Sequence, residues 1–178
     1  MGASFSSGVD TSKGCPVGKH IEKASDITDF PIFPAEVVNN MVKTELTRDV
    51  WEKCIGKKDM FGSTIQQQIL SGCHNLDSSI GVYAASHHSY YVFAPLYDKV
   101  IEKYHGHKKT DKHVSDMDYT KLQCPPFPAD EDKMINSTRI RVARNLADYP
   151  LGAGCTREQR NEIEQKVIEA TSKYTGEL

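Results

Sequence analysis

What this chain lacks narrows its function first. Its 178 residues hold no apolar run long enough to cross a bilayer and no secretory apolar stretch near the start. Charge of neither sign dominates: 22 basic residues face 24 acidic ones, a formal net charge of -2, so no basic excess points to nucleic acid. The 5 cysteines, Cys15, Cys54, Cys73, Cys124 and Cys155, include no CxxC pair and no zinc-finger spacing. An odd, scattered set reads as free thiols in a reducing compartment rather than a disulfide framework. What is present is a 38% hydrophobic fraction, enough for a globular core. The length allows one domain, or a small domain plus part of another.

Residues 1–25 are rich in Ser, Gly and Lys without apolar periodicity, which predicts a disordered tail. Phe30 to Pro34 punctuates its end. Pro34 suits a first helical turn, and Val37, Val38, Met41 and Leu46 follow at helical spacing. Val50, Trp51 and Ile55 predict a second helix after Thr47, and Gly62 breaks the pattern. Ser63-Thr-Ile-Gln66 reads as a capping box, opening a helix that ends at Gly72. His74 to Val82 reads as a loop. From Ser86, the residues Tyr90, Phe93, Tyr97, Val100, Ile101 and Tyr104 recur every three or four positions, and Gly106 ends the run.

Residues 26–106 therefore read as a small all-helical domain, and 107–133, polar and proline-containing, as a linker. At Ile135 to Leu146 the period changes to alternation, which predicts a strand. Thr156-Arg-Glu-Gln159 is a second capping box, continued by Ile163, Val167, Ala170 and Tyr174 as a helix. The fold class expected is a small all-helical N-terminal domain, then the first strand and helix of an incomplete α/β domain over 134–178. One strand cannot make a stable sheet by itself.

Three segments carry a family resemblance: Asn75-Leu-Asp-Ser-Ser-Ile-Gly-Val-Tyr-Ala84; Ser89 to Gly106 with Thr110-Asp-Lys-His113; and Ser137-Thr-Arg-Ile-Arg-Val-Ala-Arg144 with Tyr149-Pro150 after it. In order and spacing they resemble the phosphagen kinases, and the likeness runs from about Phe30 to Leu178. The form of the first segment is most like that of arginine kinases. The resemblance implies a helical N-terminal domain on a larger α/β catalytic domain. It also implies reversible transfer of the γ-phosphoryl of ATP onto a guanidino nitrogen, with Mg2+ accompanying the nucleotide (ATP or ADP). The backbone N–H groups of Ser78, Ser79 and Ile80, with the Tyr83 hydroxyl, would hold the substrate carboxylate. Successive backbone donors in a turn suit an anion. Ser79 stands where arginine kinases usually have Gly; positive φ there would strain a serine, and taurocyamine or another guanidino substrate stays open beside arginine.

Ser137, Arg139 and Arg141 would contact the nucleotide, with alternation setting both arginines on one face. Guanidiniums suit phosphate oxygens because they donate in a fork and stay charged. Alternation sets Arg144 on the opposite face, as a packing residue. The resemblance also implies what this chain does not supply: the carboxylates that orient the guanidinium, the reactive cysteine and the remaining phosphate-binding arginines. A truncated, catalytically inert chain is the expectation. The competing reading is a non-catalytic, anchored scaffold that keeps the helical domain for interaction.

Met1-Gly-Ala-Ser-Phe-Ser6 fits the N-myristoylation pattern at Gly2, and equally a chance run in a tail. One acyl chain would give weak, reversible membrane association on the cytoplasmic side, at a general or a ciliary or flagellar membrane. His87, His88, His105, His107 and His113 lack a Cys or carboxylate framework, so solvated histidines are expected and no metal. The Tyr/Phe stripe from Tyr90 to Tyr104 reads as core rather than as a ligand surface.

Overall fold

A computed structural model describes residues 14–123 and 125–175. Gly2, Ser6, the first half of the expected tail, and Cys124 lie outside the described residues. From Gly14 onward the expected tail is packed instead. Strand β1 (Cys15–Pro16) pairs in parallel with β2 (Pro31–Ile32), Cys15 opposite Pro31. Val17, Ile21 and Ile27 are buried among the helices. These three follow neither a helical nor a strand period, so periodicity does not reveal them.

The first helix is shorter than its spacing suggests. α1 (Met41–Glu45) begins at Asn40, whose side chain accepts from the N–H groups of Val42 and Lys43 at 3.0 and 3.3 Å. Residues 34–39 stay in turns, because the Lys43 ammonium gathers the carbonyls of Pro34, Ala35 and Val37 at 2.8, 3.1 and 2.7 Å. α2 (Arg48–Cys54) starts at the Thr47 cap and buries Val50, Trp51 and Cys54. α3 (Ile65–His74) uses the capping box one residue later than expected, Thr64 with Gln67, and runs past Gly72 to His74.

The long helix expected from Ser86 is split. α4 (Ser89–Val92) stops at Phe93 (φ -108°, ψ 26°), and α5 (Ala94–His105) restarts with Pro95 in its first turn. Proline has no N–H to give and its ring clashes with the preceding turn, so it is stable only at a helix start. Gly106, at φ 68°, closes α5 as its position predicts. Val42, Leu46, Ile65, Ile69, Phe93 and Leu96 form the centre of the core, each 0–1% exposed. Of the Tyr/Phe stripe, Phe93 and Tyr97 join it. Tyr90, Tyr91 and Tyr104 are exposed.

Beyond Gly106 the chain runs extended and exposed, apart from a 3-10 turn at Tyr119–Lys121 and a short turn of helix α6 (Ala129–Asp132). The alternating segment 135–146 forms no strand among the described residues. A strand exists only through a partner's hydrogen bonds, and no described segment supplies them. The chain returns at 150–155: Leu151 N–H donates to the Ala85 carbonyl at 2.8 Å, and Pro150 and Cys155 are buried. α7 (Arg157–Thr171) follows from the predicted Thr156–Gln159 capping box, and its apolar residues Val167 and Ile168 are exposed. No helix among the described residues is long and apolar enough to cross a membrane.

Candidate functional site

α3 ends at Asn75, and the segment from there to Tyr83 is stapled to the helical body. The Ser78 N–H donates to the Asn75 carbonyl at 3.0 Å, tightening the first turn. The Ser79 carbonyl accepts from Met41 N–H at 3.0 Å, tying the loop to the start of α1. Gly81 then crosses α3 at Gly72, with Gly72 N–H donating to the Gly81 carbonyl at 3.0 Å. The approach is so close that a Cβ on Gly81 would lie 2.5 Å from the Gly72 Cα. Gly81 also has φ 68°, a left-handed conformation that glycine adopts without strain. Finally, Tyr83 N–H donates to the Gln68 carbonyl at 2.8 Å.

This geometry leaves the N–H groups of Ser79 and Ile80 without a partner among the described residues, while Ser78 already spends its own on Asn75. Ser79 is not strained, since no described non-glycine residue has positive φ. The expected conflict between serine and the loop backbone is therefore absent. The loop takes its one left-handed step at Gly81 instead.

Tyr83 is half exposed and lines a groove of about 870 Å³. Glu22, His74, Asn75, Tyr90 and Asn145 line it too. Its lining comes from α3 and from three stretches far apart in sequence. His74 Nδ1 lies 2.8 Å from the Ile21 carbonyl, and Lys19 Nζ donates to Asn75 Oδ1 at 2.8 Å. These contacts hold residues 19–22 over the end of α3. Glu22 and Asn145 belong to no motif, Tyr90 belongs only to a periodic stripe and a family segment, and only folding brings the three to one groove with Tyr83.

Ser137, Arg139 and Arg141 lie on the exposed extended segment and bond to no described residue. They are not brought to the groove; Asn145, further along the same segment, is. Their guanidiniums stand free to donate to phosphate oxygens. Burial pushes the Cys73 thiol up to about 12 and also raises Cys54, so neither offers a thiolate at neutral pH. Among the described residues no group of three or more His, Cys, Asp or Glu side chains is gathered as a metal site would require.

Residues 36–102 match the family model described as ATP:guanido phosphotransferase, N-terminal domain. The arginine kinase of Anthopleura japonica is 40% identical over 174 residues, which cover 95% of this chain and 24% of that protein. The arginine kinase Lit v 2 of Penaeus vannamei is 39% identical over 140 residues, covering 78% of this chain and 39% of that one. Among solved structures, lombricine kinase superposes with a TM-score of 0.67 at 24% identity, over 87% of this chain and 41% of its own. The substrate-free duplicated taurocyamine kinase of Schistosoma mansoni gives 0.62 at 25%, over 80% and 20%. The chain thus spans well under half the length of these relatives. Matched at 36–102 and 40% identical to an arginine kinase along 95% of its own length, the chain carries at 36–102 the N-terminal domain of the ATP:guanido phosphotransferases, the phosphagen kinases.

Proposed function

We propose that this chain supplies the guanidino-substrate side of a phosphagen kinase, with arginine as the substrate. The observation that carries this is the stapled loop from Asn75 to Tyr83. It presents two unpartnered N–H groups, of Ser79 and Ile80, in a backbone that hydrogen bonds hold fixed on both sides. Such donors suit a carboxylate, because no reorganisation is needed when the anion arrives. The Tyr83 hydroxyl, in the adjoining groove, adds an oriented donor. Arg139 and Arg141 would grip the ATP phosphates, with Ser137 in the same contact segment. Their free guanidiniums fit that task.

In the reaction a guanidino nitrogen attacks the γ-phosphorus and gives up a proton to solvent, the bond from that phosphorus to the β–γ bridging oxygen breaks, and ADP leaves. Mg2+, when bound with the nucleotide, neutralises phosphate charge. The residues of this chain do the positioning, which supplies most of the catalysis in phosphoryl transfer. Positioning only one end of each substrate gives little turnover, so the 178-residue chain by itself should be inert. Myristoylation at Gly2 would add a reversible hold on a cytoplasmic membrane surface.

The test is to titrate the isotope-labelled chain with L-arginine and follow backbone amide resonances, with an ADP-release assay alongside. Saturable shifts centred on Ser79, Ile80 and Tyr83 without ADP release are expected. Shifts absent from those residues would sink the carboxylate cradle, and turnover like that of an ordinary kinase would sink the claim of inertness.

A further inference from the structure

The groove beside the loop carries a charge that the carboxylate cradle does not explain. Among its lining side chains Glu22 is the single carboxylate, and no Lys or Arg accompanies it. The Glu22 carboxylate makes no hydrogen bond or ion pair with a described residue. Its backbone, by contrast, is fixed on both sides. Ile21, immediately before it, is 1% exposed, and its carbonyl is bonded to His74 Nδ1 at 2.8 Å. The N–H groups of Glu22 and Lys23 both donate to Asp26 Oδ2, at 2.9 and 2.8 Å. Two residues upstream of Ile21, Lys19 is bonded to Asn75, the residue that opens the substrate loop. One acid, Asp26, is thus consumed in holding the turn, and the next acid along the strap is left free at the groove.

We propose that Glu22 is a specificity-determining residue whose carboxylate receives the α-ammonium of a guanidino amino acid, selecting it over guanidino acids that lack one. The proposal rests on the phosphagen kinase reading of the loop. If the substrate carboxylate sits on the Ser79 and Ile80 amides and the Tyr83 hydroxyl, the α-ammonium is the next group along the ligand. It must then lie near Tyr83, in the groove that Glu22 shares with it. The guanidinium is three methylenes further on and points towards the nucleotide, so Glu22 does not serve it. A substrate without the α-ammonium would leave a free carboxylate facing methylene groups and gain nothing from it.

The experiment uses the 178-residue chain and two ligands, L-arginine and its desamino analogue δ-guanidinovalerate, each titrated against the Ser79 and Ile80 amide resonances. Wild type is expected to bind arginine the more tightly. Glu22→Gln should raise the Kd for arginine about two- to fivefold, the range for an exposed ion pair, and leave that for δ-guanidinovalerate unchanged. Added salt should weaken arginine binding in wild type more than in the variant. Equal loss for both ligands, or loss for neither, overturns the Glu22 assignment while leaving the loop as the carboxylate site. If neither ligand moves those amides in wild type, the loop reading falls and the Glu22 proposal falls with it. A melting temperature unchanged by Glu22→Gln separates the effect from damage to the strap.

Discussion

Asp59 is buried and accepts four hydrogen bonds, and replacing it with asparagine tests how the two sides of the groove are joined. Its Oδ1 takes the N–H groups of Phe61 and Ser63 at 3.0 and 2.9 Å, closing the turn just before α3. Its Oδ2 takes the hydroxyls of Ser86 and Ser89 at 2.6 and 2.8 Å, at the start of α4. One carboxylate therefore couples the entrance of α3 to the segment that carries Tyr83 and Ala84 towards Tyr90. Asparagine can keep both bonds at Oδ1. At the other position it offers an NH2 where two hydroxyls need an acceptor. Those hydroxyls already accept from the Ser86 and Ser89 N–H groups, crosswise at 3.1 and 3.2 Å, so turning to accept the amide as well strands their own hydrogens.

Losing charge-assisted bonds of this kind costs about 1.5–3 kcal/mol. With partial rearrangement, Asp59→Asn should destabilise by about 2 kcal/mol, a fall in Tm of about 6 °C at this chain length. Burial pushes the Asp59 carboxyl up, but the Ser86 and Ser89 hydroxyls with the Ser63 and Phe61 amides outweigh it, and the net shift is below the ordinary 3.8. A carboxyl whose folded value is depressed stabilises fully above its unfolded value, and loses that contribution as pH falls through the folded one. The gap between wild type and variant should be flat from pH 7 to about 5 and close below about 4. Urea melts at a series of pH values measure it. A gap missing at pH 7, or one that widens on acidification, would refute the reasoning.

Gly81→Ala should destabilise by about 2 kcal/mol or more, because alanine at φ 68° is strained and its Cβ would strike the Gly72 backbone; a urea midpoint shift worth under about 0.5 kcal/mol would argue against that close approach. Ser79→Gly should not improve arginine binding, since Ser79 has no positive φ to relieve and glycine adds about 0.5–1 kcal/mol of ordering cost; tighter arginine binding by amide titration would show the loop to be strained after all.

How much of this was legible depended on how local each cause is. The caps at Thr47 and Thr156 and the stop at Gly106 act within one turn, and they stand where the sequence puts them. The split at Phe93 was readable too, since Pro95 lies in the middle of the tyrosine stripe, but the period of that stripe hid it. The Lys43 ammonium that keeps residues 34–39 out of a helix reaches back to Pro34, and no periodicity encodes such a reach. Alternation in 135–146 describes what a strand would do if paired. With no described partner the segment stays extended, so its arginines are free while their common face is undefined.

The candidate site divides along the same line. The proposed substrate loop, contiguous backbone from Asn75 to Tyr83, can be recognised as a word in the sequence, because its donors are main-chain groups held by two nearby glycines. A groove cannot, because Glu22, Tyr90 and Asn145 meet only after the strap, α4 and the returning segment have each found their contacts. Specificity read from the loop alone therefore covers the part of a ligand that touches backbone, its carboxylate. What distinguishes one guanidino compound from another lies beyond that carboxylate, where the selecting side chains come from distant parts of the chain. On the proposed reading, Ser79, the visible departure within the loop, is therefore a weaker guide to substrate choice than Glu22, which no motif contains.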